Sequence, residues 1–376
     1  MKICHITSAH NRTDARIFKR QCLTLAKNGF EVIFVCCDGK KDEIVDNIKI
    51  TSYSSTELSK KERFSLLYKN KRFISYLLDI NADIYQFHDI ELIEVGRKLA
   101  KKKKVIFDSH ENWKGYVLGL LPQNKFVQYL FSKSFDFYYY KYLRYFSAVF
   151  TVSPNFVRDL KKFTENVFMV SNYPSLKSFA YDAFNTEKIN DFIYAGTVYG
   201  ISNQINIVKS LNDISKKYNV KYTIVGKISE ELKNDILNTE GADNVDFINW
   251  VSKEELNKLL VSSRAGLVLL DYVPICGGQE GQLGSNKIFE YMYAGIPVIC
   301  TDFKLWKELI IDKYNCGVCV NPRDVEGIVK AMDFIMSNPE EAKKMGERGR
   351  EAVLSEFNWE HTEKEYVNLY EMIYKS

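Results

Sequence analysis

One run, GSNKIFEYMYAGIPVICTD at residues 284–302, concentrates residue types that can do chemistry. Ser285 or Asn286 can cap a helix whose apolar positions include Ile288, Phe289 and Met292, and Gly295 can end it before the strand IPVIC. The start of such a helix offers free backbone N–H groups and a partial positive charge, which suits a diphosphate. Lys287, in the first turn, adds a mobile cation over the same phosphates, and Glu290, one turn along, can accept both hydroxyls of a ribose. The same residues also fit a plainer pattern, a solvated helix glutamate beside a capping asparagine. A second group is made of histidines. The chain has five, and three of them, His10, His88 and His110, fall in loops that follow predicted strands, a concentration that points to a site at carboxyl strand ends. Asp14 and Arg16, after the first strand, read either as ligand contacts or as a helix cap and a surface partner.

These residues need a scaffold, and the hydrophobic pattern supplies a repeating one. KICHIT, a helical stretch from about residue 14 to 28, Gly29 and then EVIFVCC make a strand, helix, strand unit. Apolar runs follow at 83–88, 104–110 and 147–153, alternating with helical or polar segments, which implies a parallel sheet. Residues 170–190 are polar, Pro-containing and aperiodic and are expected to be a linker. A second alternating series then runs through DFIYAG, KYTIVG, VDFINW, AGLVLLDY and IPVICTD, and the stretch from residue 339 to 376 reads as two helices broken near 355–358. The expected fold is α/β, with two Rossmann-like, doubly wound parallel-sheet domains and the site in the cleft between them. The domains are expected at 1–172 and 173–357, with a closing helix, 358–376, returning to the first.

Composition narrows the classes. At 376 residues, 46% hydrophobic and 27% charged, the chain is ordinary globular material for two domains. Its eight cysteines sit mostly in apolar strand-like runs and read as buried free thiols; the Cys316-x-x-Cys319 pair lacks the second pair or histidine that a metal site needs. The opening turns polar too early for a signal peptide and no run of about 18 apolar residues occurs, so a cytoplasmic protein is expected. Net charge is +4, but residues 1–170 hold 29 Lys/Arg against 18 Asp/Glu, leaving the remainder acidic. A basic first half suits an anionic partner. Residues 113–150 interleave aromatics with Lys133, Lys141 and Arg144, the composition of a helix lying in a bilayer interface; the runs at 60–73 and 101–104 add cations, each worth about 1 kcal/mol near an anionic surface. Packing in an ordinary core helix is the competing explanation. Nucleic acid is not expected, because no binding motif accompanies the charge.

Residues 284–302, with matching places over about residues 1–370, resemble the family-four retaining glycosyltransferases of GT-B fold. The family signature places two glutamates eight positions apart ahead of an aGxPVI strand; Glu290 matches the second, which the resemblance assigns to the nucleotide ribose. Gln282 stands where the first belongs, so the donor-sugar contact is expected from Gln282, Gly284 or the out-of-register Glu280. D-x-R-I-F at 14–18, QFHDIEL and DSHEN resemble the family's amino-terminal motifs. That implies a role for His110 near the donor sugar, with His10, Asp14, Arg16, His88, Asp89 and Glu111 on the cleft or acceptor side. Gly196 matches the first glycine of the second domain, Thr197 stands where arginine is frequent, and Gly226 closes TIVG. Lys227 and Lys287 are therefore the candidate cations for the leaving diphosphate. No D-x-D stands in a plausible loop, so no metal or other cofactor is expected. Trp359, in a closing helix like the family's, is expected to anchor packing.

The resemblance implies retaining transfer of a hexosyl unit from a nucleoside diphosphate sugar to a glycan or lipid-linked glycan in cell-surface polysaccharide biosynthesis, such as capsule or lipopolysaccharide, by an enzyme peripheral on the inner face of the cell membrane. The alternatives are a catalytically silent nucleotide- or glycan-binding subunit and a GT-B sugar-nucleotide epimerase.

Overall fold

Strands buried on both faces need apolar side chains on both, and the sequence has them. In EVIFVC, Val32 and Phe34 enter one core cluster while Ile33 and Val35 enter another, the mark of a sheet covered by helices on each side. In the computed structural model, which describes residues 1–122, 124–178, 188 and 191–376, the chain divides into two compact units. One is Met1–Asn172 with Trp359–Ser376; the other is Tyr173–Asn358. The expected linker falls largely on residues 179–187, 189 and 190, which lie outside the described residues.

Among the described residues, the first unit holds β1 (Lys2–Ile6), β2 (Glu31–Cys36), β3 (Glu43–Val45), β4 (Ile48–Ser52), β5 (Ile84–Phe87), β6 (Lys104–Ser109), β7 (Ala148–Thr151) and β8 (Val167–Met169). They form one sheet in the order β3-β4-β2-β1-β5-β6-β7-β8. Every pairing is parallel except the β3–β4 hairpin. The strand order reverses between β1 and β5, so the loops after these strands, with the neighbouring one after β6, surround the usual place for a ligand in such sheets. The final helix, Trp359–Lys375, completes the core on one face: Trp359, Tyr366 and Tyr370 pack with Phe34 and Phe150, and Trp359 Nε1 donates to Thr24 Oγ1 at 3.0 Å.

The second unit holds β9 (Asp191–Ala195), β10 (Lys221–Val225), β11 (Val245–Ile248), β12 (Ala265–Val268), β13 (Val298–Thr301) and β14 (Gly317–Val320), in the all-parallel order β11-β10-β9-β12-β13-β14. Its order reverses between β9 and β12. The helix Asn286–Tyr293 joins β12 to β13 and is set close against the sheet. A Cβ on Gly266 would lie 2.3 Å from the Tyr291 ring, and Ala195 N donates to Tyr291 Oη at 3.0 Å.

All eight cysteines are free, and seven are buried. Cys300 and Cys319 face each other across β13 and β14 with sulfurs 3.8 Å apart. No described helix is long and apolar enough to cross a membrane.

Candidate active site

In the second unit, β9 and β10 each run out into a glycine with positive φ, +124° at Gly196 and +137° at Gly226. Both are required by close approach. A Cβ on Gly226 would stand 2.4 Å from Gly196 O, and one on Gly196 would stand 2.9 Å from Lys287 Cε. Lys287 therefore lies directly across the Gly196 turn, its ammonium 5.3 Å from the centre of the Tyr194 ring. It is largely buried, which lowers its pKa, while Glu290 and Tyr199 pull the other way. It forms no ion pair among the described residues. The mobile cation expected from the sequence is thus a packed, desolvated one.

The helix start also differs from expectation. Ser285 occupies the N-cap position, yet neither it nor any other side chain caps the first turn. Asn286 is the first helical residue, and its Oδ1 is buried with no hydrogen-bond partner. Glu290 pairs through Oε1 with Lys253 Nζ at 2.8 Å, leaving Oε2 without a partner among the described residues. Lys253 opens the helix Lys253–Ser262 behind a capping box at Ser252 and Glu255. That box was readable in the sequence; the pairing of Lys253 with a residue 37 positions on was not.

Thr197 and Lys227 line one cavity of about 570 Å3 with Tyr199, Glu231 and Asp235, and Val198 N donates to Lys227 O at 2.8 Å. Lys227 is solvent-exposed, so of the two expected cations only Lys287 is held in place. Gln282 folds onto its own loop: its Oε1 accepts from Gly284 N at 2.8 Å and its carbonyl accepts from Trp306 Nε1 at 2.8 Å. Glu280 lines a different concavity, with Tyr272, Gln279, Asp302 and Lys304.

The first unit gathers the histidines as the strand order requires, but divides them by role. Arg16 is buried and grips Asp108 with two bonds, Nε to Oδ2 at 2.9 Å and Nη2 to Oδ1 at 2.7 Å; it also donates to Val170 O. Asp108 further meets His88 Nδ1 at 3.1 Å and Gln21 Nε2 at 2.9 Å. His88 Nε2 lies 3.1 Å from His5 Nδ1. Arg16 and His88, expected as cleft contacts, are instead interior links with their polar atoms engaged. Burial alone would raise the Asp108 pKa; the Arg16 charge, with His110 and the hydrogen bonds, holds it well below the usual carboxylate range. Asp14 accepts from the Arg16 and Ile17 N–H groups, each at 2.8 Å, which makes it the cap of the first helix. Asp89, also expected as a contact, is fully buried and holds the β1 loop by accepting from Ser8 N at 2.7 Å and Thr7 Oγ1 at 2.8 Å.

His10, His110 and Glu111 remain accessible. His10 Nδ1 lies 3.0 Å from Asp89 Oδ1, its Nε2 lies 3.9 Å from Glu111, and its ring centre is 5.3 Å from that of His110. Burial opposes charge on His10, but the Asp89 bond and charge outweigh it and raise the pKa to about 9; reciprocally, Asp89 is held at about 2 against its own burial. Burial pushes His110 down to about 4, with the upward pull of Asp108 offset by Arg16, His10 and His88. At neutral pH the pair is therefore an imidazolium beside a neutral imidazole. His10, His110 and Glu111 bring potential ligand atoms within 4.8 Å of one another, as do His88, Asp108 and His110. In the second set Asp108 is already engaged by Arg16.

A pH dependence follows. A histidine whose pKa rises on folding stabilises the fold fully below its unfolded value of about 6.5 and loses that contribution as pH climbs through about 9. Urea unfolding monitored in the first unit should show stability declining across that window, and His10→Gln should flatten the decline. An unaltered slope in the variant would remove His10 from the account.

Comparisons with known proteins agree with this fold. A family model described as glycosyl transferases group 1 matches residues 181–352, and one described as glycosyltransferase family 4 matches residues 15–172. An uncharacterised glycosyltransferase of Methanocaldococcus jannaschii is 23% identical over 349 residues, covering 87% of this chain and 85% of its own. Among solved structures, sucrose-phosphate synthase from Thermosynechococcus elongatus superimposes with a TM-score of 0.76 at 16% identity, covering 100% of this chain and 99% of its own. Anabaena HepE in complex with UDP and glucose gives a TM-score of 0.71 at 11% identity, covering 99% and 100%.

Proposed function

Because the chain belongs to the group 1 and family 4 glycosyltransferases of GT-B fold, we propose that it moves a hexosyl unit, with retention of anomeric configuration, from a nucleoside diphosphate sugar to a glycan or lipid-linked glycan. Its place is cell-surface polysaccharide biosynthesis, in the cytoplasm at the inner face of the cell membrane. The observation that carries this reading is Lys287, a desolvated ammonium with no ion pair among the described residues, laid across the Gly196 turn at the uncapped start of a helix. A diphosphate supplies the missing anion, and the first-turn N–H groups around Ser285 and Asn286 supply donors. Glu290 Oε2 is left to accept ribose hydroxyls. The UDP complex of the structurally similar HepE supports a nucleotide donor of this kind.

In the proposed step the bond from the sugar's anomeric carbon to the β-phosphate oxygen breaks, and a bond from the same face of that carbon to the acceptor hydroxyl oxygen forms. The hydroxyl proton passes to the leaving phosphate, so no protein base is needed. Charge that develops on the phosphate is held by Lys287 and the helix start, without a metal ion. To His110, neutral at physiological pH, the proposal assigns a hydrogen bond to the sugar that adds no charge, and to His10 and Glu111 contacts with the acceptor.

Gln282 favours a second reading, a nucleotide-binding subunit without turnover, since its amide oxygen accepts from Gly284 N where the family carries a carboxylate. One experiment separates the two. A panel of nucleoside diphosphate sugars is screened by thermal shift, and those that raise Tm are assayed for nucleoside diphosphate release and labelled product. Transfer with retained configuration is expected; tight binding with no release from any donor and acceptor would favour the subunit.

Glu290→Ala is expected to weaken nucleoside diphosphate binding by roughly 10–100-fold, the size of a lost hydrogen bond to a charged group. Its pair with Lys253 is half-exposed and contributes little to stability. Calorimetric titration with the fold checked by Tm reads both, and unchanged affinity would move the ribose elsewhere.

A further inference from the structure

A surface helix normally turns polar residues outward, but on the helix Lys125–Tyr138 large apolar residues share that face. Phe131 and Phe135, with Tyr139 just past its end, pack into the first unit's core. On the outer face, Phe126 is 68% exposed, Leu130 49% and Phe137 61%. Leu120, in the preceding helix Trp113–Leu120, and Tyr145, in the turn that follows, are exposed as well. The charge around this face has one sign. Lys125, Lys133, Lys141 and Arg144 form no ion pair among the described residues, and the one acidic residue between 113 and 146, Asp136, is neutralised by Lys114 at 2.6 Å. Lys141 lies 4.1 Å from the centre of the Phe137 ring, and Lys133 lies 5.7 Å from that of Tyr129. Apolar and aromatic tips ringed by uncompensated cations are what an anionic bilayer interface accepts: rings and aliphatic tips enter the headgroup boundary while ammonium groups meet lipid phosphates. By contrast, a self-complementary dimer face would have to bring four unpaired cations against their own copies. In the run at 101–104, two of the cations are engaged elsewhere: Lys104 caps the final helix by donating to Ile373 O at 2.6 Å, and Lys103 donates to Asn81.

We propose that this outward face, from Leu120 through the helix Lys125–Tyr138 to Tyr145, docks the protein reversibly on a lipid bilayer rich in anionic phospholipid. The proposal rests on the glycosyl-transfer reading only for its purpose, which is to hold the enzyme beside a lipid-linked acceptor. Cosedimentation of the full chain with vesicles of phosphatidylglycerol mixed with phosphatidylcholine tests it. Wild type should bind these vesicles, and bind pure phosphatidylcholine at least ~10-fold more weakly. A variant with Phe126→Ser, Leu130→Ser and Phe137→Ser, all solvent-facing, should lose binding, and Lys125→Glu with Lys133→Glu should reduce it at least ~10-fold. Both should keep the wild-type Tm and nucleoside diphosphate affinity, so that failure at the bilayer is distinct from failure of the donor site. Equal binding to neutral vesicles, undiminished binding by the serine variant, or a stable dimer that the serine variant disperses while wild type ignores vesicles would each overturn the proposal.

Discussion

Lys287→Met is expected to lower turnover by ~10²–10³-fold, the usual cost of removing one preorganised group from a developing anion, while Tm stays level or rises. The two effects have one cause. In the folded protein the ammonium is largely buried against Gly196 and Tyr194 with no ion-pair partner among the described residues, and its desolvation outweighs the pull of the Glu290 charge, which opposes folding. Methionine fills nearly the same space without that penalty. A lysine kept for stability would behave in the opposite way. Steady-state kinetics beside thermal unfolding reads both quantities; a fallen Tm with unchanged turnover would move the phosphate role to Lys227, which lines the neighbouring cavity.

Arg16→Met should be the most damaging single change to the first unit, costing about 3–5 kcal/mol, because it leaves Asp108 fully buried without its bidentate partner. The consequence extends past stability. Asp108 also holds His88 and lies 3.6 Å from His110 Nδ1, so the imidazole in the candidate site depends on a pair placed beneath it. Asp108→Asn in the Arg16→Met background should recover a substantial part of the loss, since a neutral amide needs no counter-charge. Chemical denaturation of the two variants checks this. A loss under 1 kcal/mol for Arg16→Met would mean that His88 and Gln21 suffice to hold the carboxylate.

The parallel sheets were legible because strands buried on both sides are apolar at every position after the first, as in EVIFVC and DFIYA. What escaped were short or marginal strands. β3 is a brief edge strand, joined to β4 by a hairpin that turns on Asp46 and Asn47, both with positive φ; the Asp-Asn step between EIV and IKITS was the available signal. β8 and β14, three and four residues long, carry too little pattern to stand out. Residue types at the candidate site were legible as well, since glycines, histidines and the Asn-Lys-x-x-Glu spacing all fall at carboxyl strand ends. Depth was not. Nothing in the sequence distinguishes Arg16, buried and engaged, from a surface arginine, or reveals that Lys287 is packed rather than mobile, because burial depends on which distant elements close over a side chain. Asp89 and His10 illustrate the same point: 79 residues apart in the chain, they form a charge pair only once β1 and β5 are adjacent.

The most direct measurement is a crystal structure with a nucleoside diphosphate bound to the second unit. The expected density places the diphosphate within hydrogen-bond distance of Lys287 Nζ and the backbone N–H groups that begin the helix Asn286–Tyr293, with a ribose hydroxyl on Glu290. A diphosphate bound elsewhere, with the Lys287 ammonium still stacked on Tyr194 and no anion beside it, would contradict the account.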